Sequence, residues 1–382
     1  MKSAFCSLLI FLLFTAWLPQ RIYLSAFGFG IFVLVICWLP HMFRRNIPMI
    51  VSPAILLVLA PPCFGILQLA AGLAAYPWRT AVSTLDWFAL AATAWLAAQF
   101  AANSAFARTF LRVLVWTGLI ISVLGALHWY ASPGLILWTW TNPYQLRATF
   151  PLLNHSHFAA LVELALAPAV WTAMKADKLD PFHTWAAAAM VCAVWLAGSR
   201  SGAAIVTFEL AAVILLSVRS TAARAFPRAR VLVLIVPALV LVAGIGWQGM
   251  AARNSLPQRD DLRVIFARAA LGMVKDRPLS GFGLGSFATV YPAYAPVDVG
   301  LYVEHAHNDW LEWAAEGGVL FPVLFLGLAV LALSRSLASP WCFGIFAVFV
   351  QAAAEFPLHN PVVAAWQFAA LGCMLGCAFR RD

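Results

Sequence analysis

The chain has 382 residues, of which 63% are hydrophobic and only 10% are charged. This excludes an ordinary soluble protein, in which roughly a quarter of the residues are charged. The formal net charge of +9 would suggest nucleic acid as the partner of a soluble protein. In a membrane protein, however, lysine and arginine collect in cytoplasmic loops, so we expect contact with membrane lipids and no nucleic acid.

Apolar stretches long enough to cross a bilayer recur along the whole chain. They predict an all-α polytopic membrane protein with about twelve transmembrane helices in one domain, residues 1–382. The first stretch follows Lys2 and is interpreted as a retained helix, because no small-residue cleavage site follows it. In the third stretch, Pro61 and Pro62 predict a break or a kink. The predicted spans are residues 4–19, 22–42, 48–74, 82–101, 109–131, 156–174, 184–198, 202–218, 231–249, 317–334, 340–354 and 361–378.

All seven cysteines lie in or beside these apolar stretches, and none forms a C-x-x-C pair. Cys373 and Cys377 lie four residues apart on one predicted helix, a spacing that indicates packing. Neither a disulfide framework nor a zinc site is therefore predicted.

The distribution of basic residues predicts the orientation of the spans. With the N-terminus inside, the cytoplasmic segments hold more than half of the 24 lysines and arginines. This places both termini in the cytoplasm and a long loop, roughly residues 250–316, outside; in a bacterium that loop is periplasmic. The short external loops hold few basic residues: Arg21 and Arg79, which we interpret as lipid anchors, and Arg147 and Arg200.

The first half of the long loop is typical of an amphipathic helix, over residues 259–278. Arg259 and Arg263 lie four residues apart and so share one face. The glycines at 281–285 predict a flexible turn rather than a nucleotide-binding loop, because no strand precedes them. The predicted apolar stripe of the helix is Leu262, Ile265, Phe266, Ala269 and Met273.

The second half of the loop is acidic and contains the sequence EHAHNDWLEWAAEGG at residues 304–318. A helix is predicted from about residue 305, with His307 on one face. Trp310 and Trp313 are expected at the boundary between water and lipid, where tryptophan is enriched. Histidine and carboxylate side chains on the external side are candidates for proton transfer.

Four stretches follow one another in a characteristic order: RATFPLLNHSHFAALV, AGSRSG, RVIFARAALGMVKDRPLSGFGLGSFATVYPAY and HAHNDWLEWAAEGG. In this order they resemble the O-antigen ligase and O-antigen polymerase superfamily of bacterial membrane proteins, over roughly residues 144–335. The resemblance implies a GT-C-like fold and a metal-independent glycosyltransferase that needs no cofactor. Its donor would be a glycan on undecaprenyl diphosphate, at the periplasmic face of the inner membrane. The acceptor would be the saccharide of the lipid A core in a ligase, or a lipid-linked glycan in a polymerase.

The resemblance also implies where the site lies. Arg147 and Arg263 match arginines of the family, and His307 with Asn308 matches its histidine–asparagine pair. Arg200 matches the turn in AGSRSG. The short first external loop differs from the longer members of the family, which leaves the surface that binds the acceptor open.

Transfer from a lipid diphosphate needs stabilisation of the negative charge on the departing group. Arginine suits this task, because its planar guanidinium pairs with two phosphate oxygens and stays charged at any working pH. Arg147 and Arg263 are therefore the predicted diphosphate ligands. Arg200 and Arg259 are further candidates for substrate binding.

The reaction also needs a group that removes the proton of the acceptor hydroxyl. Histidine suits this role because its ordinary pKa is near 6.5. His307 is the predicted base, with Glu304 or Asp309 as the group that orients it; together with Asn308 these side chains are predicted to contact substrate.

Other interpretations stay open. His307 is also compatible with a structural histidine that caps the following helix. A metal site from His305, His307 and Asp309 is not favoured, because residues two apart do not converge on one helix face. Glu163 and Glu209 lie inside predicted spans and are compatible with a proton-coupled transporter. That alternative leaves the loop motifs unexplained, and the internal repeats common in transporters are not found.

The predicted orientation can be tested by labelling. A single cysteine placed at Ala288 should react with a membrane-impermeant thiol reagent in whole cells whose outer membrane admits the reagent. Protection in intact cells, with labelling only after lysis, would reverse the orientation.

Overall fold

The structure, a computed structural model, describes residues 1–16, 20–131, 135–136, 140–141, 149–176, 178–220, 228–254 and 260–379. These residues are almost entirely helical. Besides the helices they contain one antiparallel pair of two-residue strands, β1 (Leu135–Ile136) and β2 (Trp140–Thr141). The helices are α1 (Lys2–Phe14), α2 (Gln20–Arg44), α3 (Pro53–Ala70), α4 (Pro77–Ala101), α5 (Ser104–Ala131), α6 (His155–Lys175), α7 (Pro181–Leu196), α8 (Arg200–Ser220), α9 (Arg228–Leu241), α10 (Trp247–Asn254), α11 (Asp260–Asp276), α12 (Phe287–Tyr294), α13 (Asp309–Gly317), α14 (Leu320–Ser336), α15 (Phe343–Gln351) and α16 (Pro361–Cys377).

Seven helical segments are long and apolar enough to cross a membrane, among the residues that the structure describes. Five shorter apolar helices, namely α1, α7, α14, the helix from Pro340 to Gln351 that contains α15, and α16, coincide with the remaining predicted spans. The prediction of an α-helical polytopic membrane protein is confirmed. The count of twelve spans and the GT-C-like arrangement stay predictions.

The helix α3 runs without interruption through both of its internal prolines, Pro61 and Pro62. The sequence predicted a break or a kink there, and no break occurs. Both prolines are buried, and α3 packs along α4. In a membrane protein such packing makes prolines tolerable inside a helix.

Small residues allow α4 and α16 to pack closely. A Cβ atom on Gly372 would lie 2.0 Å from the carbonyl oxygen of Ala94, and one on Gly376 would lie 2.2 Å from that of Ala98. Glycines four residues apart on one helix face let two backbones touch. This contact fixes α16, and with it the linker between α15 and α16, relative to α4.

Several helix ends meet at one end of the bundle. Gln68 at the end of α3 donates to the backbone oxygens of Ser280 and Glu316, at 2.7 and 2.8 Å. Gln351 at the end of α15 donates to the oxygen of Ser156 at the start of α6, at 2.7 Å. The segment from α11 to α13 packs on this end. The C-terminal ends of α3 and α15 thus lie at the same end of the bundle as the N-terminal end of α6, as the predicted topology requires.

The loop helix α11 has the predicted apolar stripe. Phe266, Ala269 and Met273 are buried, and Leu262 and Ile265 pack against the same cluster. The amphipathic pattern was therefore sufficient to place this helix to within two residues at each end.

The second loop helix begins later than predicted, at Asp309, because the Asn308 side chain caps it. His307 precedes the helix with a φ of 54°, so the predicted helical face containing His307 is wrong. The interfacial position expected for Trp313 is also wrong. Trp313 is only 1% exposed and stacks on Phe325 with 4.1 Å between ring centroids.

The glycine turn after α11 holds the loop against the bundle. Gly281, Gly283 and Gly285 all have positive φ angles, of 60°, 108° and 72°, which favour glycine. A Cβ on Gly281 would lie 2.2 Å from the Glu316 carbonyl oxygen. The amides of Gly283 and Leu284 donate to Glu316 and Gln68, so these donors bind protein rather than phosphate.

Replacing Gly372 with alanine should destabilise the protein, because the new methyl group would collide with the backbone of α4. We expect a cost of about 1–3 kcal/mol, the usual effect of overpacking, measured as a lower unfolding temperature in detergent. The matched control is Gly327→Ala in α14, where the nearest atom to an added Cβ is 3.9 Å away. Equal stability of the two variants would contradict this account of the helix contact.

Candidate active site

The linker between α15 and α16 lies directly against the start of α13. The Asp309 amide donates to the carbonyl oxygens of Ala352 and Glu355, at 2.9 and 3.2 Å. The Asn308 side chain accepts from the Leu311 amide at 3.0 Å and donates to the Ala353 oxygen at 2.7 Å. Asn308 therefore joins the helix cap to the linker, and both ends of its amide group are bonded within the protein.

The carboxylate of Glu355 connects two of the predicted site residues. One of its oxygens pairs with the Arg263 guanidinium from α11, and the other lies 3.4 Å from Nδ1 of His307. Glu355 is almost fully buried, whereas 39% of the Arg263 side chain and 36% of the His307 side chain are exposed. The arginine and the histidine are thus held side by side at a surface that a substrate can reach.

His307 is held by its backbone and by two aromatic rings. It stacks on Phe266 of α11 with 5.8 Å between centroids, and it meets the edge of Phe356 at 4.6 Å. Its positive φ costs free energy for a residue with a side chain, on the order of 1–3 kcal/mol. A strained backbone of this kind, fixed by its surroundings, is a common feature of functional sites.

A second group of charges lies beside the first. His359, from the 3-10 helix Pro357–His359, bonds to Asp309 through Nδ1 and lies 3.3 Å from Glu312 through Nε2. Glu312 also binds Nδ1 of His305 at 2.9 Å and the Ala306 amide at 2.7 Å. Asp309 and Glu312 are buried, so this network supplies the partners that their charges need.

The carboxylates keep His359 charged. Burial alone would lower the pKa of its imidazole, but Glu312 and Asp309 outweigh burial and raise that pKa to about 10. Burial would raise the pKa of Glu312, yet His359 and His305 hold it below its ordinary value. The core of the network is therefore an imidazolium between carboxylates.

The types and positions of these residues raise the question of a metal. One ligand atom from each of His305, Glu312 and His359 lies within 4.8 Å of the others. This set differs from the one considered in the sequence, and it includes a histidine from outside the loop. A ligating histidine must offer a lone pair, and both ring nitrogens of His359 face carboxylate oxygens. A metal bound here would therefore have to displace a proton that these carboxylates favour on His359.

A cavity of about 660 Å³ opens on the other side of the His305 ring. It does not include His307 or Arg263 in its lining. Its polar wall contains His305, Glu312, Glu316 and His359. Its remaining lining comes from α2, α4, α12 and α16 and from Gly285, Glu304 and Leu358 in the segments between α-helices. The cavity therefore lies beside His305, two residues from the predicted base, and His307 itself does not line it.

The other predicted site residues are distributed as follows. Arg147 and Arg259 lie outside the described residues. Arg200 begins α8, and Gly202 in the same turn packs on Ala159 near the start of α6. The Arg200 turn therefore lies at the same end of the bundle as the site.

Neither of the two acidic side chains that were expected to orient His307 is bonded to it. Asp309 was expected to orient His307 or contact substrate, but its carboxylate is fully buried and binds His359 and the Leu358 amide. Glu304 is exposed and lines the cavity, and it makes no bond to His307. Glu355 occupies the position beside His307 that the sequence analysis gave to these two residues.

Sequence reasoning missed Glu355 and His359, although a signal was present. Both lie in the short segment between the last two predicted spans, which the predicted topology places outside. A carboxylate and a histidine in an external segment of about six residues could have been added to the loop cluster. Their proximity to His307 is a tertiary contact that spacing along the chain does not show.

Comparison with known proteins bears on the residues just described. Residues 185–326 match the family described as O-antigen ligase. This match, over part of the chain, supports the O-antigen ligase and polymerase superfamily that the sequence motifs resemble. No curated protein matches the chain.

The family match covers part of the site. Arg200, Arg263 and His307 lie inside the matched residues, whereas Glu355 and His359 lie beyond them. The match indicates a glycosyltransferase-like enzyme, and proteins of this family in general act on lipid-linked glycans. The roles of Glu355 and His359 rest on their contacts alone.

The charge on His359 predicts a pH dependence of stability. Its folded pKa of about 10 exceeds the unfolded value of about 6.5. Its contribution is therefore fully present below pH 6.5 and is lost as the pH rises through 10. The unfolding temperature of the wild type should fall across this window. This group lowers the free energy of unfolding by at most about 1.4 kcal/mol for each pH unit.

The variant His359→Gln should lack that part of the slope, because glutamine does not titrate. His183→Gln is the matched control, since His183 pairs with Asp180 at the start of α7, away from the site. Thermal unfolding in detergent between pH 6 and 10 measures the effect. An unchanged slope in His359→Gln would mean that the histidine is not held charged.

Proposed function

We propose that the protein is an O-antigen ligase-like glycosyltransferase of the bacterial inner membrane. Its donor is a glycan on undecaprenyl diphosphate, and its acceptor is the saccharide of the lipid A core. A polymerase that extends lipid-linked repeats is the alternative within the same family. The observation that carries the proposal is the Glu355 carboxylate, which holds Arg263 and His307 together.

The contact with Glu355 suits His307 to the role of a base. If Nδ1 carries the proton and donates it to Glu355, the lone pair of Nε2 is available to accept a proton from an acceptor hydroxyl. In the described structure Nε2 of His307 has no hydrogen-bond partner. Glu355 then stabilises the imidazolium that forms, as carboxylates do in other histidine–carboxylate pairs.

The transfer step balances without any further reactant. The acceptor oxygen forms a bond to the anomeric carbon of the glycan as the bond from that carbon to the diphosphate oxygen breaks. The hydroxyl proton passes to His307, and the electron pair leaves with undecaprenyl diphosphate. Arg263 stabilises the charge on the departing diphosphate.

Glu355 does not prevent Arg263 from binding phosphate. A guanidinium has five N–H donors, and the bond to Glu355 involves only Nη2. The ion pair also orients the exposed guanidinium beside His307. Arg147 and Arg200 are proposed to complete the diphosphate site on the strength of the family resemblance. Arg259 is proposed with them because its spacing from Arg263 predicts a shared helix face.

The proposed reaction needs neither a metal nor a nucleotide. Arginine supplies the positive charge at the leaving group, and the diphosphate ester already contains a good leaving group. We place the site in the periplasm, with both termini in the cytoplasm, because of the distribution of lysine and arginine. The long loop, residues 250–316, is on this assignment a periplasmic insertion between the ninth and tenth spans.

Substitution of Arg263 and His307 should separate donor binding from proton transfer. Arg263→Ala and Arg263→Lys should both lose most activity, about 2–4 kcal/mol, because lysine keeps the charge but loses the planar pair of donors. His307→Ala should lose turnover and still bind the lipid-linked donor. The assays are donor binding and glycan transfer by purified protein in excess EDTA without ATP.

The fourth variant, Glu355→Gln, tests whether Glu355 positions Arg263 and His307. It should lower turnover by about 1.5–3 kcal/mol, the usual value of a hydrogen bond to a charged group, with a smaller effect on donor affinity. Asp298→Asn is the control, because Asp298 is an exposed acid of the long loop that also contains Arg263 and His307. Normal transfer by all the site variants would show the cluster to be structural and favour the transporter alternative.

A further inference from the structure

The cavity beside His305 contains charged side chains that the proposed mechanism does not use. Arg79 and Asp86 from α4 and Glu304 from the loop all line it. Among the described residues, none of these three side chains has a hydrogen-bond or ion-pair partner. Asp86 lies within a helix that is apolar enough to span a membrane, where an unpaired carboxylate is costly and usually indicates a function.

The charge of the cavity disfavours a diphosphate. Asp86 and Glu304 are unpaired acids and face a single unpaired base, Arg79. The neighbouring acid Glu312 is already neutralised by its histidine partners. A diphosphate would therefore meet repulsion here and attraction at Arg263, so the cavity and the diphosphate site suit different ligands.

The same side chains suit a ligand that both donates and accepts hydrogen bonds. A carboxylate only accepts and a guanidinium only donates, whereas each hydroxyl group does both. A saccharide can thus satisfy the acids and the arginine at once. Trp78 and Trp87 add flat aromatic surface to the lining, against which the apolar face of a sugar ring can pack. The volume of about 660 Å³ falls in the range usual for small-ligand sites.

The position of the cavity suits the second substrate of a transfer reaction. Glu304 and His305 line it, and His307 follows two residues later, a distance of at most about 7 Å along the chain. Phe356 contacts both His305 and His307, at 4.7 and 4.6 Å. Leu24, Leu90 and Ala364 give the cavity an apolar part formed by membrane-spanning or apolar helices, which suits the lipid of a glycolipid.

We propose that this cavity binds the saccharide of the acceptor glycolipid, with Asp86, Glu304 and Arg79 as its hydrogen-bonding side chains. The inference rests on the proposed function, because it assumes that a glycan is transferred to a second saccharide. It adds the place where that saccharide lies. It also gives α4, which lies outside the residues that match the family, a part in acceptor recognition.

Photo-crosslinking can identify the occupant without a transfer assay. A benzophenone amino acid replaces Val82, which lines the cavity, and in a second protein it replaces Leu85, which is 61% exposed and lies outside the lining. Each purified protein is irradiated in nanodiscs with one of three probes. The probes are lipooligosaccharide, lipid A without core sugars, and undecaprenyl diphosphate without a glycan.

We expect the Val82 position to label lipooligosaccharide about tenfold more than lipid A, which corresponds to about 1.4 kcal/mol from contacts with sugar. The Leu85 position should show no such preference. Asp86→Leu, combined with the Val82 probe, should reduce the labelling by a similar factor and should not lower the unfolding temperature, because it removes an unpaired polar group from an apolar helix. Asp298→Leu removes a charge from an exposed loop and should leave the labelling unchanged.

The other outcomes are decisive. Equal labelling of lipooligosaccharide and lipid A would show that the cavity recognises lipid, and preferential labelling of undecaprenyl diphosphate would make it the donor site; either result overturns the inference. If neither lipooligosaccharide nor lipid A is labelled, a fourth probe, undecaprenyl diphosphate carrying an oligosaccharide, is compared with undecaprenyl diphosphate alone. Sugar-dependent labelling there would keep the saccharide site and overturn the proposed ligase acceptor. No sugar-dependent labelling with any probe would overturn the saccharide site itself.

Discussion

The ion pair between Asp309 and His359 is the contact on which the arrangement of the site depends. It joins the first turn of α13 to the linker before α16, two segments separated by 50 residues along the chain. The backbone bonds from Asp309 to Ala352 and Glu355 run beside it. Because α16 is itself fixed against α4 by backbone contact at Gly372, the loop takes its position from the membrane bundle. Glu355 is placed beside His307 and Arg263 as a consequence. Breaking a buried pair of this kind costs about 3–5 kcal/mol, because one charge is left uncompensated.

The same network separates two chemical environments that lie within a few ångströms of each other. On one side, an exposed arginine and an exposed histidine share the carboxylate of Glu355. On the other, carboxylates line a cavity whose unpaired acids outnumber its unpaired base. Phe356 contacts the histidines of both sides and forms part of the boundary. The proposed transfer from a phosphate ester to a sugar hydroxyl benefits from such a separation, since an anionic donor is attracted by positive charge, whereas a neutral saccharide binds through hydrogen-bond donors and acceptors together.

The sequence predicted the helices well and the site in part, for identifiable physical reasons. Long apolar stretches and the stripe of α11 depend on composition and period alone, so their bounds could be predicted closely. The start of α13 was misplaced because a histidine in a left-handed backbone conformation leaves no signature in hydropathy. Trp313 was assigned to the interface by residue type, yet it packs against aromatic rings of α4 and α14. Arg263 and His307 were found through motif resemblance, whereas Glu355 enters the site only through the fold of the α15–α16 linker.

The position of Glu355 also changes how the histidine and the arginine should be understood. In the sequence they are two independent residues, one for the proton and one for the phosphate. In the structure a single buried carboxylate binds both, so a change in one alters the electrostatic environment of the other. Glu355 therefore couples the position of the group proposed to bind the diphosphate to that of the group proposed to accept the proton, through contacts that exist only because of the fold of the linker.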